Sequence, residues 1–356
     1  MITISDQAKA ALSVGWTMHT RVSSWRSGTL LAADIPITAG RHETDASLRV
    51  PDRVTLEVPR YDAVTGTTWD PEDDPTHPLA CYGQRLLLSL GIGIPGGVEW
   101  IQRGWFAITD VDSDHTTVRV TALNLLSLLD EARLTAPYQP TGTLGEALRA
   151  LCEPALIVDL TAAPADRSCP AAMAWDEDRL AAVLEILDSW PAVATVAPSG
   201  ALVVTEPPTP GAAVATLDST STGLAEAIGG SISRSGASTC VVARGTDSNG
   251  LDVQAVVYDT SGGPLDSTGP FSALPVPFFY YSPLLTTVSQ CSSAALTIMI
   301  RRQSQAGLAR NIECAPHPAL LVGDRVTTDQ GVGTVQTILM PLTAGDGTMS
   351  VTVVIP

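Results

Sequence analysis

Chemistry, if this chain performs any, would have to come from a few residue groups. The histidines are His19, His42, His77, His115 and His317. No two lie within a helical turn of each other, so the H-E-x-x-H pattern that seats zinc on one helix face is absent. Asp112, Ser113, Asp114 and His115 are the residue types of a nucleophile, a base and an orienting acid. They stand side by side in a polar segment between two alternating runs, which reads as a solvated hairpin turn. A nucleophile elbow of the form G-x-S-x-G does not occur. Asp70, Glu72, Asp73 and Asp74 are dense in the hard oxygens that calcium prefers. They lack the D-x-D-x-D-G spacing and the distal glutamate, and Pro71 and Pro75 interrupt them, so they read as a solvated acidic loop. No acid sits in the apolar, aromatic context that raises a catalytic carboxyl. The glycine-rich stretches Leu90–Gly97 and Gly223–Ser231 carry neither G-x-G-x-x-G nor a G-K-[ST] step and read as turns. These residue patterns point to no catalytic, cofactor or metal site.

The cysteines, Cys81, Cys152, Cys169, Cys240, Cys291 and Cys314, form no C-x-x-C pair. Most lie in apolar strings and read as reduced, small core residues. Among the tryptophans, Trp16, Trp105, Trp175 and Trp190 read as core anchors. Trp69 lies in the polar segment 61–78, rich in Pro, Asp and Thr and without periodicity, which is expected to be a long exposed loop. Trp69, Asp70, Glu72, Asp73 and Asp74 are therefore the candidate contact loop toward a neighbouring molecule.

The elements that would hold these residues fall into three stretches after an N-terminal arm, 1–14. From 15 to 137 the pattern is strand and turn. "RVTLEVP" places Val54, Leu56 and Val58 on one face, and "RGWFAITDVDSD" with "HTTVRVTALNLL" forms a hairpin turning at Asp112–Asp114. From 138 to 228 helices appear. Thr143 and Glu146 make a capping box, and Leu144, Leu148 and Leu151 share a helical face. A second helix begins near Asp176, with Leu180, Val183, Leu184 and Leu187 inward, and ends at Trp190 and Pro191. A hairpin turning at Gly200 follows. From 229 to 356 strands return, with a helical and loop insertion near 260–305. "STCVVARGT" and "LDVQAVVYD" pair around a Gly-Thr-Asp-Ser-Asn-Gly turn, and a helix turns Val288, Cys291, Ala295, Ile298 and Met299 toward a core. The expected class is α+β, mainly β, with a β unit at each end and a small α/β unit between them.

Composition narrows the function. The 356 residues are 45% hydrophobic and 16% charged, with a formal net charge of −17. A nucleic-acid-binding surface needs a basic stripe to displace counterions, and docking on anionic lipid needs the same sign, so both are disfavoured. Lys9 is the sole lysine beside 19 arginines, the mark of a GC-rich coding sequence. Met1–Ala11 has no charged start followed by an apolar run, and no apolar run reaches the roughly 20 residues of a membrane span. The expectation is a soluble chain made in the cytoplasm.

The ending, Glu313–Pro356, has short strands, a "P.P.L..GD.V" step and a "PL..GDG.M" step. Together with Val50–Pro59, Leu180–Pro207, Ser238–Asp259 and Ala315–Met349, it resembles, in order and spacing, the tail hub proteins of phages and related injection systems, also called baseplate hub or tail-associated proteins. The opening "W.SGTLLAADIPITAG" is similar to minor tail proteins of actinobacterial siphophages. The resemblance implies two tube-type β-barrels in one chain, 15–137 and 229–356, flanking the α/β domain. It implies a homotrimer whose six barrels form a ring, joining the six-fold tail tube or distal tail ring to a three-fold tip. The implied place is the virion tail, of non-contractile type, with a distal tail protein, tape measure protein and tail-tip or fibre proteins as partners and DNA passing without specific binding. Because the chain stops at Pro356, just after the last expected strand, any tip activity is expected on another polypeptide. The alternatives are a hexameric distal tail ring protein and a tail-tip enzyme that degrades cell wall or polysaccharide.

Overall fold

The computed structural model describes residues 1–72, 74–171, 173–207, 211–219, 224–232, 236–263, 265–271, 273–305 and 308–355. The chain opens with α1 (Asp6–Val14), β1 (Met18–Arg26), β2 (Thr29–Ala32), β3 (Ala39–Asp45) and β4 (Asp52–Pro59). Two short strands, β5 (Tyr61–Asp62) and β6 (Thr67–Thr68), precede the long β7 (Gln84–Ile94), β8 (Gly97–Ser113) and β9 (Thr117–Asn124). Then come α2 (Ser127–Glu131), α3 (Leu144–Cys152), β10 (Val158–Ala162), α4 (Arg179–Ser189), β11 (Val193–Val196) and β12 (Leu202–Thr205). β13 (Ala215–Thr216), β14 (Ala225–Ile232), β15 (Cys240–Thr246), β16 (Asp252–Tyr258), β17 (Pro277–Tyr281) and α5 (Val288–Gln305) follow. The last strands are β18 (Leu308–Cys314), β19 (Arg325–Thr328), β20 (Gly331–Pro341) and β21 (Met349–Ile355). The protein is α+β and mainly β, as its alternation predicts.

One compact unit comprises 1–127, 212–230 and 310–353. Its 13-stranded sheet runs β14-β18-β21-β20-β3-β4-β9-β8-β7-β1-β2, with β19 beside β20 and β13 beside β19. Period-two burial makes the core: Val54, Leu56 and Val58 on β4, Leu86, Leu88 and Leu90 on β7, Val118, Val120 and Ala122 on β9, and Met349, Val351 and Val353 on β21 pack together. The early and late strands meet at β3 and β20, antiparallel from Arg41↔Pro341 to Asp45↔Thr337. This seam is fastened at its end. Leu342 N–H donates to the Gly40 carbonyl at 2.9 Å, and the Asp346 carboxylate accepts from Gly40 N–H at 3.0 Å. A Cβ on Gly40 would stand 2.8 Å from the Thr55 carbonyl oxygen, so no larger residue fits that approach. The N-terminal arm is α1, capped by Ser5, with Ile4 and Ala8 packed against Ile92, Ile101 and Ala319.

The other unit comprises 128–211, 231–309 and 354–356. In one part, β12 pairs parallel with β10 and antiparallel with β11, while α3 contacts α4 and β10. The capping box of α3 is formed as its sequence predicts, with Thr143 Oγ1 and the Glu146 carboxylate exchanging backbone donors. In α4 the inward residues are Leu180, Ala182, Val183, Ile186 and Leu187. Leu184, expected inward, is half-buried at the margin, and Ile186 takes the central place. In the other part, β15 lies between antiparallel β16 and parallel β17. Cys291, Ala294, Ala295, Ile298 and Met299 of α5 pack onto Val241 and Ala243, whereas Val288 is exposed.

Compactness thus divides the chain differently from its linear order. Segment 238–259, expected to open a second barrel, lies in the small sheet under α5. Residues 212–228, expected in the middle domain, supply β13 and part of β14 to the 13-stranded sheet. The physical reason is that α5 covers the inner face of β15 and β16, which leaves that face no vacancy for another sheet. All six cysteines are free thiols; Cys152, Cys240, Cys291 and Cys314 are buried as expected, but Cys81 is exposed and Cys169 half-buried. Trp175 and Trp190 are buried anchors; Trp16 and Trp105 are half-buried, the latter edge-on to Trp25 with ring centroids 5.8 Å apart. No helix among the described residues is long and apolar enough to cross a membrane.

Candidate functional site

The hairpin of β8 and β9 forms as expected, and its turn spends its polar groups on itself. The Asp114 carboxylate accepts from the backbone N–H of Thr116 and of Thr117, each at 2.8 Å, and from the Thr116 hydroxyl at 3.1 Å. These donors hold its carboxyl below the usual carboxylate range. Ser113 and His115 project into solvent beside it, without a relay.

The structure brings together a different polar group, on the sheet itself. His42 of β3 is 2% exposed and lies edge-on to Phe106 at 5.3 Å. Its Nε2 stands 3.4 Å from Asp52 Oδ1 and 3.5 Å from Thr44 Oγ1. Thr44 donates to Asp52 at 2.7 Å, and Asn124 Nδ2 donates to the other carboxylate oxygen at 2.7 Å. Burial pushes His42 below its ordinary pKa. Burial raises the Asp52 carboxyl, but the hydrogen bonds from His42, Thr44 and Asn124 outweigh it and the net shift is downward. Nearby, buried Arg103 donates Nη1 to the carbonyls of Pro318 and Leu320 at 2.7 and 2.9 Å, and burial brings its guanidinium down to about 10.

A hydroxyl, an imidazole and a carboxylate in contact invite a catalytic reading, which the geometry refuses. A relay needs the nucleophile on one ring nitrogen and the acid on the other. Here both approach Nε2, while Nδ1 has no protein partner and the ring has almost no access to solvent. The arrangement neutralises polar side chains within a sheet. The sequence signal that could have found it is parity: if 39–45 is a strand, His42 points the same way as Gly40 and Thr44, into the core.

The acidic loop has two parts. Trp69 is 7% exposed and belongs to the main core, and Asp70 is buried with Oδ2 2.9 Å from Arg60 Nη2. Neither is a free contact residue; both anchor the loop, because an aromatic ring and its neighbouring ion pair fix the strand end while the polar residues around them stay wet. Further ties come from Gln84 Nε2, which donates to the carbonyls of Pro75 and His77 at 3.0 and 2.9 Å, and from the Ser24 hydroxyl, which donates to the Pro78 carbonyl at 2.5 Å. Glu72, also 3.3 Å from Arg60, and Asp74 are exposed; Asp73 lies outside the described residues. The surface so held carries Tyr61, Tyr82 and Val64, the last 94% exposed. Asp70 is committed to Arg60 and Asp74 to Thr76, and the described residues contain no cluster of metal-ligating side chains.

A mainly antiparallel sheet joins early and late strands, and an α/β unit comes from the middle of the chain. Three solved structures share this fold. A tail protein from Neisseria meningitidis MC58 matches with a TM-score of 0.62 at 14% identity, over 94% of this chain and 96% of that one. The 43 kDa tail protein of prophage MuSo2 from Shewanella oneidensis gives 0.57 at 13% identity, over 94% and 98%. The prophage tail protein gp18 from Listeria monocytogenes EGD-e gives 0.52 at 11% identity, over 94% of each chain. At identities this low the structural matches establish a common fold alone. No protein-family model and no curated protein sequence matches the chain.

Proposed function

We infer that this protein is a structural, non-enzymatic component of a phage-type tail. The observation that carries the reading is a fold shared across 94% of this chain and nearly all of the Neisseria and Shewanella tail proteins. The specific role is a hub: three copies forming a ring of six β-barrel elements between the six-fold tube, or distal tail ring, and a three-fold tip. In this reading the 13-stranded sheet supplies both barrel elements of each copy. The net charge of −17 suits a ring that DNA passes without adhering, since carboxylates repel phosphate. The exposed part of the loop, with Tyr61, Val64, Glu72, Asp74 and Tyr82, is assigned as a contact surface toward an adjoining tail protein.

Native mass measurement of the purified assembly tests the role. The expected particle holds three chains. Six chains would support the distal ring instead, and a monomer at micromolar concentration would remove the ring reading.

A further inference from the structure

The small sheet of the second unit has one face covered by α5; on the other, Cys240 and Val242 of the central strand are buried while residues of the flanking strands are exposed. The register puts Val242 between Val256 and Phe279, and Arg244 between Gln254 and Tyr281. On this second face Tyr258 is 48%, Phe279 56% and Tyr281 63% exposed. The Arg244 guanidinium carbon lies 4.8 Å from the Phe279 ring centroid, so the charged end leans across β17 instead of standing over its own strand. Among the described residues Arg244 is exposed and makes no ion pair, in a chain where acids outnumber bases by 37 to 20. β17, Pro-Phe-Phe-Tyr-Tyr, ends the sheet. It has none of the charges or bulges that proteins use to blunt an open edge, and its proline is confined to the first position.

We propose that the outer edge of β17, which no strand pairs among the described residues, accepts an extended segment of a partner protein, which adds as a fourth strand and places a carboxylate against Arg244. Backbone hydrogen bonds would supply the pairing, as in other strand additions. Alternate apolar side chains of the segment would cover Phe279 and Tyr281, and the carboxylate would make charge-assisted bonds to a guanidinium already oriented by its stacking. Tyrosine, phenylalanine and arginine together are residue types enriched at protein contacts. This surface is independent of the ring reading, so either can fail while the other stands.

The test uses the full chain and two capped peptides, acetyl-Thr-Val-Thr-Glu-Thr-Val-Thr-amide, whose Val and Glu side chains share one strand face, and the same peptide with Lys for Glu. Hydrogen–deuterium exchange read by mass spectrometry should show the Glu peptide slowing exchange in the segment 277–281. The Lys peptide should bind roughly tenfold more weakly, and Arg244→Glu should reverse that preference. Circular dichroism checks that the variant is folded, as an exposed site allows. Equal affinity for the two peptides, no slowing in 277–281 at millimolar peptide, or protection of that segment by a second copy of the chain alone would each overturn the proposal.

Discussion

At the scale of single residues, part of the negative charge has a local cause. Asp45, Asp62, Asp74, Asp114, Asp159, Asp247 and Asp266 each accept the backbone N–H two residues on. In most of these turns a Ser or Thr hydroxyl joins the same carboxylate, as at Thr76, Thr116, Thr161 and Thr268. Carboxylates placed this way shape turns first and any channel wall second. The buried imidazoles act differently. Burial depresses His42 and His317, so below about pH 6.5, the unfolded value, the unfolded chain binds more protons than the folded one. Stability therefore falls as pH drops through that window, and the depressed Asp52 removes more below about pH 4. Scanning calorimetry between pH 7.5 and 4.5 should show a falling midpoint, with a shallower slope for His42→Gln. A midpoint independent of pH would contradict the burial argument.

At the scale of elements, legibility followed the range of the signal. The α3 capping box, the β8–β9 hairpin and the Asp247 turn between β15 and β16 are set by neighbours a few residues apart, and each stands where the sequence placed it. The face of α4 is nearly legible. An i, i+3, i+4 rule admits Leu184, but the cover on that side is incomplete, while Ala182 and Ile186 turn toward the interior. Ile186→Ala should accordingly cost about 2–5 kcal/mol in urea unfolding, and Leu184→Ala clearly less. The reverse order would mean that the helix is rotated. Trp69 is hidden from sequence reading because prolines and aspartates around it advertise solvent, and one buried ring in such a setting leaves no periodicity to detect.

At the scale of the whole molecule, the class was legible and the wiring was not. Alternation and turn spacing indicate a mainly β protein. Nothing local can say that β3 pairs with β20, or that β15 and β16 leave the large sheet, because register between strands hundreds of residues apart is decided by which apolar faces remain uncovered. The order of middle-unit and end-unit segments along the chain hides the same fact. The buried His42 group beside that seam was missed for this reason, since its partners Asp52 and Asn124 come from other strands. The β3–β20 seam also has a consequence in time. When the ribosome has made β9, the strand set β1–β4 and β7–β9 can already pair, but β3 has no neighbour on one side until residue 341 emerges. At about 5–20 residues per second that wait lasts on the order of 10–40 s. During it the nascent chain carries an open edge and an unfinished core, the state most prone to clump with its siblings on a polysome. Production of soluble protein should depend on chaperone supply and improve with slower initiation, and a version terminated at residue 305 should sediment with the insoluble fraction. If that shortened chain were soluble and cooperatively folded, the early strands would be self-sufficient and the seam a late addition.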